Sequence, residues 1–168
     1  MAFSCHDLIE IRPSEFGRGL FAKRSIPANT IICAVTGTEL NFADTLRLGE
    51  RESHAIQIDR DKYILCDPPF LFSNHSCEPN CAVSSDLNYY TISDIEKDEE
   101  LLWDYSTSMM ERHWQMKCAC GSVNCRQVIK DFDTLPQMVQ QHYINIDIVM
   151  PFIQRFYSNG DSSYFSRA

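Results

Sequence analysis

The sequence predicts a mostly β fold of small sheets that ends in a helical C-terminal extension. Short runs rich in β-branched and aromatic residues fill the first two thirds, and Gly, Pro, Asn or Asp bound them. Helical apolar spacing emerges only after Cys125. At 168 residues the chain suits one domain able to bury a core without disulfide staples.

Six runs read as strands: LIEIR (8–12), GLFAK (19–23), TIICAV (30–35), HAIQID (54–59), YILCD (63–67) and YYTISD (89–94). NFADTLRLGE is the only early stretch expected to form a short helix. Leu135, Met138, Val139, His142, Tyr143 and Ile146 then recur at helical spacing. Thr134 and Gln137 form a capping-box pattern there, and Pro136 is tolerated in the first turn. IVMPFIQRFY supplies another short helix after Pro151, and SNGDSSYFSRA reads as a frayed tail.

Composition narrows the function. With a net charge of −8 and a pI near 5.0, the surface as a whole repels phosphate backbones and anionic lipids. A basic protein partner is therefore expected, with no direct nucleic-acid binding and no membrane association. MAFSCHDLIE has neither a basic nor an apolar signal region, and no apolar run reaches the roughly 18 residues of a membrane span. The expectation is an unexported intracellular protein, cytoplasmic or nuclear.

Eight cysteines without a secretory signal point to thiols held reduced, some on metal. Cys118, Cys120 and Cys125 form C-x-C-x4-C in a loop marked by Gly121 and Asn124. Zinc on sulfur takes four ligands, so one more must come from elsewhere, and Cys77 or Cys81 can supply it. Four sulfurs leave no open position, which makes such a site structural. Cys5, Cys33 and Cys66 sit in or beside apolar runs and read as core residues.

Four motifs in order, GRGLFAKRSI (17–26), NHSCEPNC (74–81), EELLWDY (99–105) and CACGSVNCR (118–126), resemble those of the SET-domain protein lysine methyltransferases with a post-SET zinc segment. The resemblance implies small β-sheets around a pseudoknot, with a SET domain over 6–107, a post-SET zinc segment over 114–130 and a helical extension over 131–168. It also implies S-adenosylmethionine as donor, a narrow channel for the target lysine, and a structural zinc on Cys77, Cys118, Cys120 and Cys125.

The same resemblance assigns roles. Tyr105 is the expected catalytic residue, its hydroxyl orienting the methyl group and the amine. Gly17, Arg18, Gly19, Asn74, His75, Tyr105 and Ile129 are the expected donor contacts; Ile129 serves equally as a core contact under the C-terminal helix. Trp103, Tyr105 and His54 are expected at the lysine channel. The acidic run of Asp94, Glu96, Asp98, Glu99 and Glu100 reads first as a solvated turn.

Three positions depart from the family pattern. Leu71 replaces an arginine common before F-x-NHS, Trp103 stands where Phe or Tyr is usual, and His54 stands where many relatives place a tyrosine. His54 reads either as a proton acceptor near neutral pH or as a strand cap. These departures keep open a non-catalytic SET-like module that binds lysine-rich peptides, and the thiols alone keep open a structural zinc protein whose cysteines mediate partner contacts. Histone tails are the family's common targets.

Overall fold

A computed structural model describes residues 5–159. The chain divides into two compact units, each assembled from separated stretches. The first takes the described part of Met1–Thr36 with Asp67–Asp104 and Ala119–Arg126. The second takes Gly37–Cys66, Tyr105–Cys118 and the described part of Gln127–Ala168.

In the first unit a one-turn helix α1 (Cys5–Leu8) leads into the hairpin β1 (Ile9–Ser14) and β2 (Gly17–Ala22). The hairpin turns on two residues. Ser14 Oγ accepts the Phe16 N–H at 3.2 Å, and Gly17 takes φ +102°, a value that side-chain-bearing residues rarely adopt. β3 (Ile31–Ala34) pairs with an element late in this unit, β9 (Asn88–Thr91), which also pairs with β8 (Cys81–Val83). β7 (Asn74–His75) runs parallel to β10 (Leu102–Trp103). Leu20, Ile26, Tyr89, Ile95 and Leu101 are the buried centre.

The second unit is built on β4 (Gly37–Leu40), β5 (Ala55–Asp59) and β6 (Lys62–Cys66), in the order β4-β6-β5. Between β4 and β5 come α2 (Phe42–Thr45), capped by the Asn41 side chain, and a 3-10 turn (Gly49–His54). The short pair β11 (Met116–Lys117) and β12 (Val128–Ile129) precedes α3 (Gln137–Asn145) and α4 (Pro151–Asn159). Ile129, Phe132, Ile148, Met150 and Ile153 form the buried centre. Gln57 is buried with them because its side chain is fully used: Oε1 accepts the Met110 N–H at 2.8 Å and Nε2 donates to the Arg60 carbonyl at 3.3 Å.

The mostly β architecture matches the expectation, and all six strand runs form strands. α1 is an early helix that the sequence reading did not contain. The α3 stripe needs correction. Met138, His142 and Ile146 are exposed, whereas Val139, Gln140, Tyr143 and Ile144 turn inward. Gln140 explains the rotation, since its Nε2 donates to the carbonyls of Leu135 at 2.8 Å and Asp133 at 3.2 Å. Nor does the capping box form: the Thr134 hydroxyl donates to the Asp131 carbonyl at 2.7 Å, and Pro136 is the N-cap. The expected tail begins later than predicted, since Ser158 and Asn159 belong to α4. From residue 160 onward it lies outside the described residues.

Candidate functional site

The Sγ atoms of Cys77, Cys118, Cys120 and Cys125 all lie within 4.8 Å of one another. Zn–S bonds of about 2.3 Å in a tetrahedron place sulfurs roughly 3.8 Å apart, so this group fits one ion. A tight loop brings the last three together. Gly121 turns the chain at φ +72°, Ser122 Oγ accepts the Asn124 N–H, and the Cys125 N–H donates to the Ser122 carbonyl. Cys118 opens the loop with its N–H on the Gln127 carbonyl at 2.8 Å.

Cys81, the other candidate for the fourth sulfur, lies instead on β8 opposite Thr91. Burial pushes its thiol up to about 12, against a smaller opposing effect of its Tyr89 hydrogen bond. Such a thiol is a poor ligand and a good core residue. Cys66 is likewise buried, while Cys5 and Cys33 are only half-buried.

Cys77 is held by more than the sulfur group. The Arg126 main-chain N–H donates to its Sγ at 3.4 Å, and His75 Nε2 stands 3.4 Å away. Next to it, the Glu78 carboxylate accepts from Ser122 Oγ at 2.6 Å and Asn124 Nδ2 at 2.7 Å, bonds that lower its pKa. The loop carrying Cys120 and Cys125 is therefore docked on the Cys77 segment by hydrogen bonds as well as by its thiols.

A buried charge pair lies beside the cysteines. Asp104, with a fully buried side chain, accepts from Arg126 Nη2 at 2.7 Å and has His75 Nδ1 at 3.6 Å. Burial brings His75 down to about 4; Asp104 opposes that shift and Arg126 reinforces it. The imidazole is thus neutral at neutral pH. Neither Asp104 nor Arg126 was singled out in the sequence, although both stand inside the quoted motifs. A charged residue next to a motif tyrosine or cysteine was the available signal.

Asn74, at the start of β7, points its amide at three oxygens: Glu100 Oε1 at 2.7 Å, the Arg18 carbonyl at 3.0 Å and Ser14 Oγ at 3.1 Å. Gly19 is needed for that cluster, because a Cβ there would collide with the Glu100 carboxylate. The Arg18 guanidinium lies 4.1 Å from the centre of the Phe72 ring. The acidic run is more than a solvated turn. Asp94 accepts from Ala28, Glu96 from Ser25, Glu99 from Asn80 and Glu100 from Asn74, and Asp98 pairs with Arg12.

Trp103 faces His75 across the β7–β10 pair and packs its ring 5.4 Å from Phe70, almost wholly buried. In the second unit Tyr105 opens a 3-10 turn (Tyr105–Ser108), half-buried, with the Trp114 ring 6.5 Å away. That turn is braced where the Met150 N–H meets the Thr107 carbonyl at 2.9 Å. Ile129 is buried on β12 opposite Met116. His54 is exposed at the end of its 3-10 turn.

Residues 17–106, more than half of the chain, match the family model of the SET domain. The chain belongs to the SET-domain family. It is 32% identical over 142 residues to "Histone-lysine N-methyltransferase, H3 lysine-4 specific" of Aspergillus oryzae, covering 68% of this chain and 11% of that protein. It is 30% identical over 126 residues to "Histone-lysine N-methyltransferase, H3 lysine-36 specific" of Cryptococcus neoformans, covering 65% and 15%. To "Histone-lysine N-methyltransferase trr" of Drosophila melanogaster it is 29% identical over 127 residues, covering 66% and 5%. The chain thus spans a small part of each relative's length. No helix among the described residues is long and apolar enough to cross a membrane.

Proposed function

We propose that this chain is an S-adenosylmethionine-dependent protein-lysine N-methyltransferase domain with a structural zinc in a post-SET segment, residues 114–130. The four-cysteine group next to the Asn74–His75 strand carries the reading, because it joins two of the family's motifs in the order the resemblance implies. Bound S-adenosylmethionine would supply the electrophilic methyl group. Asn74, His75, Gly17, Arg18, Gly19 and Ile129 would hold the donor, and Cys77, Cys118, Cys120 and Cys125 would hold the zinc.

Tyr105 orients the incoming lysine amine through its hydroxyl and serves, as phenolate, as a proton acceptor. The amine has to arrive neutral from a reference pKa of about 10.4, which a desolvated approach beside positive charge favours. Trp103 and His54 are the further residues that the family resemblance assigns to the approach of the lysine. The net charge of −8 favours encounter with lysine-rich segments, and the relatives' printed names make histone tails the first substrates to test. An intracellular setting, nuclear or cytoplasmic, follows from such substrates.

Calorimetric titration of the zinc-loaded chain with S-adenosylmethionine tests the proposal without knowledge of the acceptor. Saturable one-site binding, followed by methyl transfer to a histone, is the expected outcome. Absence of binding with zinc verified in place would overturn it, in favour of a module that only recognises lysine-rich peptides.

A further inference from the structure

Four residues of the first unit close a ring. Arg126 donates through its main chain to Cys77 Sγ at 3.4 Å and through Nη2 to Asp104 at 2.7 Å. His75 spans the same two partners, with Nε2 at 3.4 Å from Cys77 Sγ and Nδ1 at 3.6 Å from Asp104 Oδ1. Each member also belongs to a different working part. Arg126 follows Cys125, Asp104 ends the β10 segment and precedes Tyr105, and His75 is on β7, the strand paired with β10.

We infer that Arg126 is a positioning residue that couples closure of the four-cysteine loop to the order of the β7–β10 strand pair. The inference rests on the proposed zinc site. Closing the loop on Cys77 brings the residue after Cys125 to Asp104, whose buried carboxylate requires a cation. With Arg126 in place, Asp104 is fixed and the end of β10 with it. Three main-chain N–H groups report on that pair: Ser76 donates to the Trp103 carbonyl at 3.1 Å, Asn80 to the Leu102 carbonyl at 3.1 Å, and Leu102 to Asn80 Oδ1 at 2.8 Å. Linkage makes the coupling reciprocal, so ordering of the strands strengthens zinc retention by the same factor with which zinc favours that order. A metal described as purely structural thereby gains a route to the segment that presents Asn74, His75 and Tyr105.

The test is amide hydrogen exchange on the full chain, with saturating zinc and after removal of zinc by a chelator. In the wild-type chain, zinc removal should speed exchange at Ser76, Asn80 and Leu102 by about tenfold or more, and leave Thr91 unchanged. Thr91 donates to the Thr30 carbonyl on the β3–β9 side and controls for general loosening. Arg126→Met, still saturated with zinc, should exchange at the three sites at the fast rate, and Arg126→Lys should restore part of the protection. The double variant Arg126→Met with Asp104→Asn removes both buried charges and guards against misfolding of the single one. It should show the same exchange with and without zinc.

Wild-type protection in zinc-saturated Arg126→Met, zinc-dependent protection in the double variant, or no zinc held by the wild type would each overturn the coupling. Failure of the wild type to bind S-adenosylmethionine, with the exchange pattern as expected, would count against catalysis and support the coupling.

Discussion

Asn80 grips Leu102 from both ends: its main-chain N–H donates to the Leu102 carbonyl at 3.1 Å, and its side-chain Oδ1 accepts the Leu102 N–H at 2.8 Å. Its Nδ2 reaches further, to the Glu100 carbonyl at 2.9 Å and Glu99 Oε1 at 3.1 Å. One asparagine of the NHSCEPNC motif therefore organises the main chain of the EELLWDY motif. Asn80→Ala removes every side-chain bond and should cost about 2–4 kcal/mol in urea unfolding. Asn80→Asp keeps the acceptor for Leu102 but places a carboxylate against Glu99, and should also destabilise. A wild-type midpoint in both variants would refute the role.

Two glycines should respond differently to the same added methyl group. At Gly19 the obstacle is the end of the flexible Glu100 side chain, which can swing away at the loss of its bond to Asn74. At Gly37 it is the Leu65 main-chain carbonyl in the β4–β6 ladder, which has nowhere to go. Gly37→Ala should cost at least the upper end of the roughly 1–3 kcal/mol of overpacking, and Gly19→Ala clearly less. Thermal melts of the two variants decide the order, and equal losses would contradict it.

Zinc content separates the two candidate fourth cysteines. Elemental analysis of the wild-type chain should give about one zinc per chain. Cys125→Ser and Cys77→Ser should lose it, while Cys81→Ser should retain it. Zinc lost from Cys81→Ser with the fold intact would move the site.

Asp131 gives a pH signature. Burial is the largest influence on its carboxyl and raises its pKa above 3.8, the Asp133 carboxylate adds to the rise, and hydrogen bonding, first the Arg112 N–H at 2.8 Å, opposes it. The unfolded chain then loses this proton at lower pH than the folded one. The stability contribution is present below the unfolded pKa and falls as pH rises through the folded pKa. Asp131→Asn keeps the acceptor for Arg112 and removes the buried charge, so it should stabilise at pH 7 and flatten that slope. Parallel pH dependences for wild type and variant would rule this out.

Tyr105→Phe should leave the fold and S-adenosylmethionine binding unchanged and reduce methyl transfer by about 10²-fold or more, the scale of a positioned proton-transfer group. Turnover and calorimetry on one preparation make the comparison. Wild-type turnover would remove Tyr105 from the chemistry.

The strands were legible wherever β-branched runs were bounded by turn residues, and the cysteine loop was legible from its spacing. β4 was not, because Gly37–Leu40 is only four residues long, with Gly37 and Glu39 disfavouring a strand, and is held by pairing with β6. The pairs β7–β10 and β11–β12 are two residues long in each strand, too short for any periodicity. In α3 the apolar pattern named a helix correctly and its inner face only in part, because Gln140 turned inward to serve two carbonyls. The family resemblance singled out Tyr105 and Cys77 but passed over Asp104, Arg126 and Asn80, which are tied into the fold by partners distant in sequence.

The pairing of β3 with β9 carries a consequence for how the chain is made. Ile31 lies opposite Tyr90, and Ala34 opposite Asn88. During synthesis the 31–34 segment must wait for the ribosome to deliver residues 88–91, a delay of seconds at ordinary elongation rates. Its unpaired edge is open to other nascent chains in that interval, as is Ile32, which the finished fold buries. A chaperone that shields this segment would be of most use before residue 91 emerges.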